Sequence, residues 1–224
     1  MTYDEFRDRY PQLFLNPADC PIRVAETEAE RQRIERQVCQ RMVEQGLPRD
    51  WAVTGVVHQD AYVVMLRDPV TFETGAAGTY LRLFERPPDA RGAAILPVFE
   101  GKAILLHHFR HASRSVHIEV PRGFGAAGLS PRETAIKELA EEIGGECDEI
   151  LPLGSLVWNS GLSNGTTELF LARLSGLDLA RRTEGIVDIR AYDLAEVTAM
   201  IADDSITDSF TLACYAKARL KGLI

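Results

Sequence analysis

Residues 137 to 145 read KELAEEIGG and place Glu138, Glu141 and Glu142 within five positions. At about 100° per residue, the three carboxylates fall within an arc of roughly 100° on a helix. Ile136, Leu139, Ala140 and Ile143 are expected on the opposite, core-facing side. Like charges at these spacings each cost a few tenths of a kcal/mol on an exposed helix, and more where water is excluded. A hard divalent cation offsets that cost, because Mg²⁺ takes oxygen ligands and binds through a few carboxylates together with substrate phosphates. The alternative is a solvated acidic face balanced by Lys137 and Arg132. The preceding segment, PRGFGAAGLSP from Pro121 to Pro131, favours the cation. Its three glycines let backbone approach a ligand closely, and Ser130-Pro131 with Glu133 forms a helix N-terminus signal. A glycine-rich loop feeding a carboxylate helix describes a metal-diphosphate site.

These residues resemble the Nudix hydrolases, whose box reads G-x5-E-x7-R-E-U-x-E-E-x-G-U, with U a bulky aliphatic. Gly123 opens the pattern, and Glu138, Leu139, Glu141, Glu142 and Gly144 fall in register. Leu129, Lys137 and Gly145 stand where the family has Glu, Arg and an aliphatic. The resemblance implies that Glu138, Glu141 and Glu142 hold Mg²⁺, with Mn²⁺ as a substitute. It also implies that Leu129 packs where a Glu to Arg bridge would otherwise support the loop.

From about residue 93 to 222 the chain looks most like the ADP-ribose pyrophosphatase branch. Phe109-Arg110 is similar to its Q-Y-R, Glu119-Val120-Pro121 to its E-L-P-A-G, and SITDSFTLACYAKARL to its closing helix. That likeness implies an α/β/α sandwich around a mixed sheet. It also implies hydrolysis of a nucleoside diphosphate linked to a second moiety, ADP-ribose or a nucleotide sugar first, into a nucleoside monophosphate and a phosphorylated remainder. In that branch the residue matching Arg110 lies near the substrate phosphates, where a charged fork donor suits; the bland reading is a surface ion pair at a strand end. Gly123 would let backbone reach the substrate. The base that activates water is a late-loop Glu in the branch, matched best by Glu184. Glu168 is its rival from inside a strand, and Glu142 is the fallback from the helix. An N-terminal sheet that helps form a homodimer is also implied. The eroded box keeps open a non-catalytic, nucleotide-binding sensor or assembly module. WNSGLSNG replaces a Ser-Pro-Gly turn of the branch. Its Trp158 either stacks on a nucleoside or packs at a strand end, and Asn164-Gly165 is expected to turn.

The elements that must position these groups follow from pattern. Thr27 and Glu30 have capping-box spacing ahead of an Ile34, Val38, Met42 stripe that ends near Gly46. WAVTGVVH, AYVVMLRD and TYLRLFE read as strands of a small antiparallel sheet. RPPDARG then reads as a linker, which divides the chain into an N-terminal helix and β subdomain, 1–88, and a hydrolase-like domain, 89–224. Beyond it, AAILPV, KAILLHHF, VHIEVP, LGSLVW, TELFLARL and IVDIRAY read as strands. Helices are expected around the carboxylates, at LAEVTAMIADD and at DSFTLACYAKARL. The mixture lacks regular βαβ alternation, so a mixed α/β sheet covered by helices is predicted.

Composition excludes several partners. A chain of 224 residues, 46% apolar, buries a core. A net charge of −8 with no basic cluster longer than Arg181-Arg182 argues against nucleic acid. The start is charged and no long apolar run occurs, so neither a signal peptide nor a membrane span is expected. Four scattered cysteines form no CxxC pair, which suits a reducing cytoplasm. His107, His108, His111 and His117 lack a recognisable fourth ligand, so zinc is not expected.

Overall fold

Two capping boxes start the helices of the N-terminal region in the computed structural model, which describes every residue except Arg86, Asp89 and 181–184. Thr2 and Glu5 cap α1 (Tyr3–Arg9), and Thr27 and Glu30 cap α2 (Glu28–Glu44). Between them lies β1 (Ile22–Val24); β2 (Gly55–Gln59), β3 (Val63–Phe72) and β4 (Ala77–Glu85) follow. The four strands form an antiparallel sheet in which β3 pairs with β4 on one side and with β2 and β1 on the other. Tyr3, Phe6, Tyr10 and Phe14 pack on Val64, Leu66 and Phe84, while Ile34 and Val38 of α2 pack on Ala25, Ala52 and Ala77. The stripe along α2 is therefore as expected, whereas α1 was not foreseen. Buried Asp68 accepts hydrogen bonds from the Tyr3 hydroxyl at 2.6 Å and from Arg82 at 3.0 Å.

The chain divides into two compact units, Met1–Arg86 with Gly161–Asn164, and Pro87–Ser160 with Gly165–Ile224. In the first unit Leu83 N–H donates to the Leu162 carbonyl at 2.8 Å and Ser163 bridges Leu83 in parallel fashion. The turn in this stretch falls at residues 160–162 rather than at Asn164-Gly165.

The second unit holds β5 (Gly92–Phe99), β6 (Lys102–Arg110), β7 (Ser115–Glu119), β8 (Arg122–Gly123), α3 (Pro131–Ile143), β9 (Glu146–Val157), β10 (Thr166–Gly176), β11 (Ile186–Tyr192), α4 (Leu194–Ala202) and α5 (Ser209–Leu220). Its sheet runs β11-β6-β5-β10-β9, with β10 parallel to β5 and the other described pairings antiparallel. Side chains alternate across it. Ala93, Ile95, Phe170 and Ala172 face α3, while Ala94, Leu96, Leu169 and Leu171 face α4 and α5. This is the predicted α/β/α sandwich. No helix among the described residues is long and apolar enough to cross a membrane.

One feature of the sheet builds a notch. A tight turn at Glu100-Gly101, both at positive φ, joins β5 to β6, and the two strands pair only at Val98–Phe99 with Lys102–Ala103. Beyond that, β6 turns to β7 and β5 to β8, so the segment from Ser115 to Gly123 fills the gap between diverging strands.

α3 begins with the expected Ser130/Glu133 capping box and Pro131, and ends at Gly144 with φ 59°. Its inward face differs from expectation. Ala135, Leu139 and Ile143 enter the core, Glu142 is buried beside them, and Ile136 and Ala140 are exposed. Residues 135, 139, 142 and 143 share the i, i+4, i+7, i+8 stripe, so packing Leu139 and Ile143 on the sheet rotates Glu142 inward and Ile136 outward. Leu139→Ala should therefore cost about 2–5 kcal/mol in urea denaturation, and Ile136→Ala less than about 1 kcal/mol. Equal losses would contradict this rotation.

Candidate active site

The notch supplies a buried acid surrounded by cations. Glu119, at the end of β7, is fully buried. The imidazole of His108 lies with Nδ1 3.1 Å from its Oε1, Arg110 pairs with the same oxygen, and Arg122 reaches Oε2 at 3.3 Å. Burial pushes the Glu119 carboxyl up, but His108, Arg110 and Arg122 more than offset it and hold it below the usual carboxylate range. Arg122 also donates to Asp208 at 2.9 Å and stacks over the Phe210 ring.

The carboxylate helix meets this cluster through Glu142. Its Oε2 accepts the Arg122 backbone N–H at 3.2 Å, and its side chain is only 4% exposed. Burial, then the neighbouring Glu138 carboxylate, push the Glu142 carboxyl up to about 8, against the pull of the Arg122 N–H and the Arg110 charge. Glu138, mostly buried, lies against Gly123: a Cβ there would meet Glu138 Oε1 at 2.0 Å. A side chain there would have to displace the Glu138 carboxylate from the space it occupies.

The other anticipated residues divide. Glu141 is exposed and pairs with Lys137 at 2.8 Å, so the three acids do not share one solvated face. Lys137 thus makes a bridge of its own, and Leu129, 40% exposed, does not pack as a replacement for the missing Glu to Arg contact. Arg110 is an internal partner of Glu119, yet its Nε is buried with no hydrogen-bond acceptor among the described residues. Trp158 is half-buried, and its indole edge lies where a Cβ on Gly165 would be. Glu168 is held by Arg91 at 2.6 Å, an ion-paired strand position. Glu184 lies outside the described residues. The histidines have separate partners: His107 bonds Tyr192, His117 bonds Ser113 and Ser115, and His111 bonds Arg114. Sequence reasoning missed the roles of His108, Arg122, Asp208 and Thr211. The Asp208-x-x-Thr211 spacing was the available signal for the last two.

The residues fit a hard cation. Among the described residues no three His, Cys, Asp or Glu side chains converge tightly enough to cage an ion alone. The donors gathered at Gly123 are all oxygens, however, and Glu142 is kept from water beside a like charge. That suits an ion that retains waters and shares substrate phosphate.

Comparison with known proteins decides the family. Residues 88–210, more than half of the chain, match the NUDIX domain. The chain belongs to the Nudix family. Its relatives include the methanol dehydrogenase activator of Bacillus methanolicus, 30% identical over 58% of this chain and 71% of that protein. The ADP-ribose pyrophosphatase of Bacillus subtilis (strain 168) is 26% identical over 54% of this chain and 68% of its own length. The ADP-sugar pyrophosphatase of Mus musculus is 34% identical over 40% of this chain, but less than half of its own length, 44%, is matched. A crystal structure of an ADP compounds hydrolase shares the fold, with TM-score 0.65 and 20% identity, covering 75% of this chain and 91% of that one. Membership, with pyrophosphatases among the relatives, makes this Nudix protein a pyrophosphohydrolase.

The buried acid of the Nudix helix gives a pH signature. With the folded Glu142 carboxyl at about 8 against an ordinary value of 4.5, the folded state binds the extra proton between those values. Stability contributed by this group therefore falls as pH rises through that window. In metal-free buffer, Glu142→Gln should raise the melting temperature relative to wild type more at pH 8 than at pH 5. A difference that does not change with pH would contradict the burial of this charge.

Proposed function

We propose that this pyrophosphohydrolase is metal-dependent and cleaves the diphosphate bridge of a nucleoside diphosphate joined to a second group, with ADP-ribose or a nucleotide sugar as first substrates. The products would be a nucleoside monophosphate and a phosphorylated remainder. The observation that carries the reading is the Glu142 carboxylate, buried beside Glu138 at Gly123 and within the field of Arg110. A carboxylate so placed is costly unless a cation joins it. The named activities of the pyrophosphatase relatives agree with this class of substrate.

Glu138, Glu141 and Glu142 would hold Mg²⁺ or Mn²⁺. When bound, the ion supplies Lewis acidity and positive charge against the diphosphate. Glu141 would leave Lys137 to join it, exchanging an exposed pair for a stronger one. Arg110 keeps its fork in place through Glu119 and has a buried Nε donor left for a phosphate oxygen. Gly123, lacking a side chain, leaves the Glu138 carboxylate room to lie against the loop backbone. The partly exposed indole of Trp158 is the place proposed for a nucleoside. Glu184 is the proposed base, since Glu168 is already committed to Arg91. A homodimer in the cytoplasm is part of the same reading.

A panel of nucleoside diphosphate derivatives assayed with Mg²⁺ and with Mn²⁺ for released phosphomonoester tests this. Turnover of ADP-ribose or a nucleotide sugar should require the ion, and Glu142→Gln should lower it by more than about 10²-fold. Turnover that persists in chelator, or survives the substitution, would refute the assignment.

A further inference from the structure

We infer that Asp208 and Arg122 form a positioning pair, through which the first turn of α5 sets the place of the Glu142 carboxylate on α3. The inference rests on the proposed role of Glu142 as a cation ligand. Among the described residues Glu142 Oε2 is fixed by one backbone donor, the Arg122 N–H at 3.2 Å, and that donor closes the short stretch from Val120 to Arg122 that leads from β7 into β8. The same stretch is gripped from its other side at two points. Val120 N–H donates to Thr211 Oγ1 at 2.9 Å, and the Arg122 guanidinium donates to Asp208 at 2.9 Å. Both acceptors sit in one helical turn. Asp208 is the N-cap of α5, taking the Thr211 N–H at 2.9 Å and the Thr211 hydroxyl at 2.8 Å. Thr211 is fully buried, so its hydroxyl is committed between Asp208 and Val120. Pro121 stands between the two gripped residues and removes backbone freedom there.

The Arg122 side chain completes the grip. Its second contact is Glu119 at 3.3 Å, and its Cζ lies 4.5 Å from the centre of the ring of Phe210, the residue after the first of α5. Position 122 corresponds to the alanine of the E-L-P-A-G pattern, and an alanine can make none of these contacts. In this chain the position of the N–H that meets Glu142 is thus coupled to a charge pair between residues far apart in sequence. Groups that orient metal ligands from behind typically change metal affinity by about 10–100-fold when removed.

Mn²⁺ binding, followed by electron paramagnetic resonance on the full chain, separates positioning from folding. Asn caps helices about as well as Asp, so Asp208→Asn keeps the start of α5 and removes only the charge that holds Arg122. Its metal-free melting temperature should stay within a few degrees of wild type while Mn²⁺ affinity falls about tenfold or more. Arg122→Gln, which keeps both the cap and the backbone N–H, should show the same loss, and the double variant no more than either single. Wild-type affinity in both single variants would overturn the inference and leave the proposed function standing. No Mn²⁺ binding by the wild type itself would overturn both. Should Asp208→Asn fail to fold, Arg122→Gln decides by the same comparison.

Discussion

The burial of one carboxylate, Glu142, is the constraint from which the rest of the second unit follows. A glutamate on the core side of a helix would ordinarily be replaced by an apolar residue, because an unpaired buried charge is strongly unfavourable. Here the helix is rotated so that Leu139 and Ile143 fill the core, which leaves Glu142 almost wholly buried. What it meets instead, among the described residues, is one backbone donor, the like charges of Glu138 and Glu119, and the field of Arg110. That is incomplete compensation. In the free protein a proton makes up the difference below about pH 8, and the proposed cation would take its place.

The Glu119 cluster solves the opposite problem. It gathers Arg110 and Arg122 around one buried acid, so that both guanidinium groups are held in place by a common partner. The cost of immobilising two long side chains is met during folding. The diverging strands β5 and β6 make this possible, since their gap admits the stretch that carries Glu119, Arg122 and Gly123 into one place. A sheet paired along its full length would have no room for it.

Much of this was legible in the sequence, and the boundary is instructive. Local signals held: the Thr27/Glu30 and Ser130/Glu133 capping boxes start helices where their spacing says, and alternation of apolar residues marks the strands of both sheets. The same Thr2/Glu5 spacing was present ahead of α1, with Tyr3, Phe6 and Tyr10 as its inward face, but charged neighbours masked it. The rotation of α3 was not legible, because a triad of glutamates has no intrinsic inside; the sheet decides which one is buried. Nor was the Arg122 to Asp208 pair, whose members are 86 residues apart and become neighbours only through the closing helix. Leu129 and Lys137 show the limit of reasoning by substitution. Losing one support contact did not produce an apolar replacement, and Lys137 instead paired within its own helix.

The most direct test of the account is diffraction from crystals grown with Mn²⁺ and a non-hydrolysable ADP-ribose analogue, with data collected at the manganese absorption edge. The account predicts an anomalous peak ligated by Glu142 together with Glu138 or Glu141 and touching the diphosphate. A bound analogue with no peak there, or a peak that leaves Glu142 protonated and unligated, would contradict it.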